Sequence, residues 1–371
     1  MSQPTPTPRQ LLAQGLAHFN AGRMKDAGEV FRAVLAAQPD NADAHHLIGL
    51  VALRTGDATA AVVAIERAVT SRPAEPVFLS NLAVALKAVG RRDDAVATLR
   101  EAIRVAPGYV QAHLNLGNTL REDGFLAEAA QAYREALALV PDTPAILNNL
   151  GNVHRELGDL ETAVLQYRRA IELAPSYAEA LSNLASAELA RGAFDVAIGL
   201  LERAVSIEPG NGTALATLGR ALLQSGRPAD AEAAYRQAVA AAPQLAEAHA
   251  GLADTLVQRG EAEGAVQSFS AALAIRPGFS AARSGLVFMR NYLGGDDALS
   301  ISREARAFGE SLARPAAPRV HRNDPRPGRR LAIGLVSGDF RSHAVATFLS
   351  GVLPEIDREA FRLHAYATSP H

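Results

Sequence analysis

The stretch "LNNLGNVHRELGDLETAVLQYRRAIELAP", Leu147–Pro175, decides the fold. Counting back from Pro175, it has Tyr167 at eight residues, Ala163 at twelve, Gly158 at seventeen and Gly151 at twenty-four. The same classes recur along the chain. Prolines stand at 39, 73, 107, 141, 175, 209, 243 and 277, each 34 residues after the last. Seventeen residues before each is a glycine (22, 56, 90, 124, 158, 192, 226, 260), and twelve before each is an alanine, from Ala27 through Ala265. Twenty-four before, the residue is small: Gly15, Gly49, Ala83, Gly117, Gly151, Ala185, Gly219 and Ala253. Eight before, it is large: Phe31, Ile65, Leu99, Tyr133, Tyr167, Leu201, Tyr235 and Phe269. A fixed period of this length marks a helix-turn-helix solenoid.

The residue classes have a mechanical sense. The glycine belongs where the first helix ends, because only glycine enters the left-handed C-cap conformation without steric cost. The proline ends or follows the second helix. The small residue and the alanine let the two backbones approach, and the large residue fills the gap toward the next repeat. On these residues the chain resembles the tetratricopeptide repeat, with eight units in register over about residues 9–278. After Pro277, "FSAARSGLVFMRNYLGG" predicts the first helix of a divergent ninth unit, as end caps of solenoids diverge, and "DDALSISREARAFGESLA" a second helix. The proline- and arginine-rich "RPAAPRVHRNDPRPGRR" predicts an extended linker.

Composition sets bounds on function. With 48% hydrophobic and 20% charged residues the chain is that of a folded protein, and a net charge of -2 gives no general pull toward nucleic acid or an anionic membrane. The absence of cysteine excludes disulfides, thiolate zinc sites and a cysteine nucleophile, and suits a reducing compartment. The N-terminal "MSQPTPTPRQ" lacks the order of a signal peptide, and no apolar run approaches the ~18 residues of a membrane span. The expected location is cytoplasmic.

First helices line the concave surface of such a solenoid, so polar residues recurring on them are candidate contacts for an extended peptide. Asn81, Asn115, Asn149 and Asn183 share one repeat position, twenty-six residues before their prolines. A primary amide offers a donor and an acceptor and can pair with a peptide backbone unit without reading its side chain. With helices roughly 8–10 Å apart and about 3.3 Å per extended residue, one asparagine would meet every third residue or so. The competing reading is an asparagine tolerated there because it faces solvent. Ala13, Leu47, Thr217 and Gly251 occupy the position in the outer repeats, so the ladder is confined to the middle four units. Asn118 and Asn152, three residues onward, are open to either reading. His45, His113 and His249 share another position, two and four repeats apart, and so cannot converge on one metal ion; these and His18 with His154 read as partly covered helix residues. No metal site is expected.

Near the C-terminus, "LAIGLV" predicts a buried strand, "SGDFRSH" a loop, "AVATFLSGVLPEI" an amphipathic helix and "FRLHAYATS" a second strand, together one crossover unit of a parallel sheet. Ligands of such sheets meet the loops at the carboxyl ends of strands, here Ser337 to His343. The repeats together with "RRLAIGLVSGDFRSHAVATFLSGVLPEIDREAFRLHAYAT" resemble the bacterial and plant O-GlcNAc transferase and SPINDLY-like family. The resemblance implies an all-α fold, a tetratricopeptide-repeat right-handed superhelical solenoid, followed by a short α/β segment that starts a two-lobed GT-B glycosyltransferase domain. It implies five regions: a tail over 1–8, repeats over 9–278, capping and linker helices over 279–313, a linker over 314–330 and an incomplete first lobe over 331–371. It implies His343 as the active-site histidine, and transfer of a sugar from UDP-GlcNAc or GDP-fucose to Ser or Thr of proteins recruited by the repeats. Ala344 and Val345 are closer to the SPINDLY-like pattern, which leaves the donor sugar open. Because the family binds its nucleotide through a second lobe, the expectation for this 371-residue chain alone is no bound cofactor and no transferase activity. The alternative is a non-catalytic scaffold mediating protein–protein interaction. On either reading the partners are proteins or extended peptide segments in the concave groove, with a homodimer through the repeats as a further option.

Overall fold

The computed structural model describes residues 6–293, 298–312, 331–337, 357 and 361–367. Eight helix pairs follow one another, each with a first helix of 13 residues and a second of 14. They are α1 (Pro8–Asn20) with α2 (Met24–Ala37), α3 (Ala42–Arg54) with α4 (Ala58–Ser71), α5 (Pro76–Ala88) with α6 (Arg92–Val105), and α7 (Val110–Glu122) with α8 (Leu126–Leu139). Then come α9 (Pro144–Glu156) with α10 (Leu160–Leu173), α11 (Ala178–Ala190) with α12 (Phe194–Ile207), α13 (Gly212–Gln224) with α14 (Pro228–Ala241), and α15 (Ala246–Gln258) with α16 (Ala262–Ile275). Two more helices follow where the sequence predicts them, α17 (Ser280–Leu293), which packs on α16, and α18 (Ala298–Leu312).

Each repeat glycine ends its first helix with a positive φ, from 74° at Gly22 to 84° at Gly56. At Gly158 the turn is closed by the Asp159 N–H, which reaches back 2.9 Å to the His154 carbonyl. Second helices stop two residues before the repeat proline, so the proline punctuates the turn into the next unit. Asn41, Asp57, Asp159 and Asn211 cap their helices by accepting a backbone N–H three residues on.

The small and large repeat positions meet directly. A Cβ added to Gly151 would lie 2.6 Å from Tyr167 Cε1, and one added to Gly117 2.7 Å from the same atom of Tyr133. Gly15 lies likewise under Phe31, Gly49 under Ile65 and Gly219 under Tyr235. The large side chain is therefore seated on the small residue of its own repeat. The expected reach into the next repeat is seen where that repeat also offers a glycine: Tyr235 covers Gly251, and Phe269 covers Gly285. Tyr133, Tyr167, Phe31, Phe269, Ile65, Leu99 and Leu201 are among the most completely buried side chains, and the core runs through the stack as a series of clusters.

A separate unit spans residues 307–371. Within it β1 (Leu331–Ser337) pairs parallel with β2 (Phe361–Ala367), in register from Leu331 opposite Phe361 to Ser337 opposite Ala367. Both strands fall where the apolar runs predict them. The expected helix over 344–356 and the loop carrying His343 lie outside the described residues. A two-stranded parallel pair is well short of a glycosyltransferase lobe, so the architecture shown is a helical tetratricopeptide-type solenoid with one short ladder in a second unit. Among the described residues, no helix is long and apolar enough to cross a membrane.

Candidate functional site: the inner face of the first helices

First helices pack against first helices of neighbouring repeats, as α5 does with α3 and α7 and α13 with α11 and α15, while second helices make no comparable contacts with one another. The first helices therefore form the inner row, and the ladder asparagines stand on it. All four are half-buried. Three already use their amide N–H across the repeat boundary, on a diagonal of 35 residues. Asn81 Nδ2 donates to His46 Nε2 at 2.8 Å, Asn115 Nδ2 to Ser80 Oγ at 2.9 Å, and Asn183 Nδ2 to Asn148 Oδ1 at 2.9 Å. Asn115 Oδ1 also accepts from Gln111. The diagonal position for Asn149 is Leu114, which has no polar atom to offer, and the Asn149 amide has no hydrogen-bond partner among the described residues. The ladder is thus a row of repeat-to-repeat ties with one free amide near its centre. Asn81, Asn115 and Asn183 each spend one amide N–H on the neighbouring repeat and keep a second, where the sequence suggested that the whole amide was available.

The diagonal ties set the state of His46. The ring is buried, stacks 4.5 Å from Phe78 and accepts from Asn81, so its Nδ1 carries the proton. Burial lowers its pKa from 6.5 to about 4; the Asp43 carboxylate pulls the other way and Arg72 reinforces the drop. Asn148, fully buried, donates to Glu179 at 3.0 Å while accepting from Asn183. At the C-terminal ends of the inner helices, Lys87 pairs with Glu122 at 2.9 Å and Arg121 with Glu156 at 3.8 Å, continuing the diagonal.

Two patterns were missed in the sequence. His45, His113 and His249 each place Nε2 against the carbonyl of a repeat proline six residues earlier, Pro39 at 2.7 Å, Pro107 at 2.9 Å and Pro243 at 3.0 Å. A carbonyl only accepts, so Nε2 carries the hydrogen, and the ring latches the start of its helix to the preceding turn. The fixed offset from proline was the available signal. The second pattern concerns Asn118 and Asn152. They accept from the hydroxyls of Tyr133 at 2.6 Å and Tyr167 at 2.7 Å, so they serve the core. Among the described residues no group of three or more His, Cys, Asp or Glu could hold a metal ion.

Where the ladder lapses, the inner face opens. Between α13 and α15, over Tyr235, lies a cavity of about 440 Å³ bordered by Thr217, Arg220, Gly251 and Asp254. Thr217 and Gly251 occupy the ladder position, and a Cβ at Gly251 would stand 2.6 Å from the Tyr235 hydroxyl. The Tyr235 ring fills the space above Gly251, so a side chain at that position would meet the ring that lines the cavity.

Comparison with known proteins agrees with this geometry. Families described as tetratricopeptide repeat match residues 12–76, 76–101, 108–176, 148–212, 188–255 and 246–269. A TPR repeat-containing thioredoxin, TTL4 of Arabidopsis thaliana, is 32% identical over 104 residues, 28% of this chain and only 15% of that protein's length. The solved structure of the APC/C hetero-tetramer Cut9–Hcn1 superposes with a TM-score of 0.56 at 19% identity, over 76% of this chain and 55% of that one. A tetratricopeptide repeat protein from Parabacteroides merdae gives 0.55 at 17% identity, over 67% of this chain and 98% of its own. At these identities the superpositions speak for the fold alone. The recurring residue classes, the helix pairs they build and the matched sequence together make this chain a member of the tetratricopeptide repeat family.

Proposed function

We propose that the chain is a protein–protein interaction scaffold whose inner groove takes an extended segment of a partner protein. The carrying observation is the Asn149 amide, half-buried on the inner row and unengaged between neighbours whose amides are tied. It offers a donor and an acceptor at the middle of a rigid surface, which suits a backbone unit of a peptide laid along the groove. The test selects peptides from a random unstructured library on the full chain and maps the tightest by amide NMR. Binding along α7, α9 and α11 that Asn149→Ala weakens supports the reading; binding confined to the outer helices overturns it.

A second reading has one observation in its favour. The parallel pair β1–β2 behind the repeats suits the opening of an α/β domain, and the resemblance to O-GlcNAc transferase and SPINDLY-like enzymes makes the repeats the recruiting arm of a protein O-glycosyltransferase. On this reading His343 belongs to its active site and UDP-GlcNAc or GDP-fucose is the donor. Because this chain alone is expected to be inactive, the test joins its repeats to a complete transferase domain: sugar transfer to a selected, serine-containing peptide that depends on these repeats would favour this reading over the scaffold.

A further inference from the structure

A second row of ties crosses the inner face at the C-terminal ends of the first helices, and it stops one partner short. Twenty residues before three successive repeat prolines stand the cations Lys87, Arg121 and Arg155. The first two meet a carboxylate 35 residues onward in the following repeat, Lys87 that of Glu122 at 2.9 Å and Arg121 that of Glu156 at 3.8 Å. For Arg155 the same step leads to Ala190, which is exposed and has no acid to offer. We propose that Arg155 is the anchor for an acidic side chain, aspartate or glutamate, of the extended partner segment, whose carboxylate takes the place in the row that Ala190 leaves open. The proposal rests on the groove-binding reading above and names the partner's chemistry.

Register and charge together select the sign of the occupant. Among the described residues Arg155 has no ion-pair partner, and its guanidinium lies beside the Tyr167 hydroxyl, a neutral group. The acids of the two flanking helices are all engaged elsewhere. Glu156, the one acid of α9, is turned to the other side of that helix, where it holds Arg121. On α11 the buried Glu188 pairs with Arg168 at 2.9 Å and Arg191 at 3.2 Å. Glu179, the other acid of α11, accepts from Asn148 at 3.0 Å and Tyr177 at 3.4 Å. It stands at the opposite end of the helix, about 16 Å of rise from Ala190. The row therefore holds three cations and two carboxylates, and its uncompensated charge falls at Arg155.

The position also suits the groove. Arg155 is exposed, so a partner can reach it, and its planar fork pairs with a carboxylate through two parallel N–H bonds. It shares α9 with the free amide of Asn149, about 9 Å away along the axis, which is the span of about three extended residues. One short segment can thus engage both.

The experiment selects a random unstructured peptide library on the full chain and on its Arg155→Gln, Arg155→Lys and Ala190→Glu variants, and sequences the bound pools. Neutral glycine and serine flanks on every peptide keep terminal carboxylates out of the groove. The expected result is aspartate or glutamate enriched about threefold at one position of the wild-type pool. Arg155→Lys should keep that preference and Arg155→Gln should lose it. Ala190→Glu, which builds the missing acid into the row, should lose it as well, with far-UV dichroism unchanged in every variant. A wild-type pool that maps by amide NMR to α7, α9 and α11 without an acidic preference, or a preference indifferent to either Arg155→Gln or Ala190→Glu, overturns the proposal and leaves the groove reading standing. Pools that bind the outer helices overturn both.

Discussion

The set Gly151, Asn152 and Tyr167 makes a prediction whose size follows from the packing. Gly151→Ala puts a methyl 2.6 Å from Tyr167 Cε1 and 2.8 Å from Cδ1, where ordinary contact begins at 3.4 Å. The ring must retreat by about 1 Å while Asn152 holds its hydroxyl at 2.7 Å, an overpacking that costs about 1–3 kcal/mol, less about 0.5–1 kcal/mol regained from replacing a mid-helix glycine. Tyr167→Leu loses ring burial and orphans a buried amide, about 2–4 kcal/mol. Asn152→Val orphans a buried hydroxyl, about 1–3 kcal/mol. The third repeat carries Ala83, Val84 and Leu99 at these three positions, so the triple variant installs a set the protein already uses. The triple should lie within about 1.5 kcal/mol of the wild type although its parts sum to roughly 3–9 kcal/mol. Urea unfolding followed by far-UV dichroism, with hydrogen exchange of α9 and α10 to locate the loss, measures it, since a repeat array need not unfold in one step. A triple variant as unstable as the sum of its single variants would refute the seating of the large side chain on its own repeat's small residue.

Three further predictions address the site and its supports. His46 should titrate near 4 by NMR; because its folded pKa lies below the unfolded value of 6.5, its contribution to stability is whole above about pH 6.5 and is lost as pH falls toward 4, and a midpoint near 6.5 would contradict its burial. Asn149→Ala should weaken peptide capture at little cost in stability, whereas Asn183→Ala, which orphans the fully buried Asn148 carbonyl, should cost about 1 kcal/mol or more in urea unfolding; equal effects of the two on capture and stability would count against the division of roles. Gly158→Ala forces alanine to a φ of 82° and should lower stability by about 1 kcal/mol, while the same change at Gly199, where φ is not positive and a Cβ meets open space, should not.

What the sequence made legible is what repeats without reference to a partner. Gly158 and its seven counterparts announce a turn because the need for a positive φ is local, and Pro175 and its counterparts mark the gap between units for a similar reason. The state of the ladder depended on a second residue 35 positions away. Counting repeat positions placed Asn81 and Asn149 in one class, but His46 engages the first and Leu114 leaves the second free, which follows from how adjacent helices are rotated past one another. Asn152 was ambiguous because its partner, Tyr167, lies on the other helix of the pair. The pocket over Tyr235 was invisible for a different reason: it depends on how the side chains of α13 and α15 pack around the Tyr235 ring, which repeat position alone does not tell. The loop of His343 lies outside the described residues, and its expected role stands on resemblance alone.

The seating of large on small has a consequence for how such an array changes length. Repeats four and five carry the same set, Gly117, Asn118 and Tyr133 in one and Gly151, Asn152 and Tyr167 in the other. A recombination that joins α7 to α10 would seat Tyr167 on Gly117 and give its hydroxyl Asn118, so the junction would pack as the parents do. Joining α5 to α8 would instead press Tyr133 onto Ala83, beside Val84, and leave the hydroxyl without a partner. Matched neighbours thus mark where the gene can gain or lose a whole repeat without disturbing the core, and the reach of the groove becomes a quantity that can be inherited in steps.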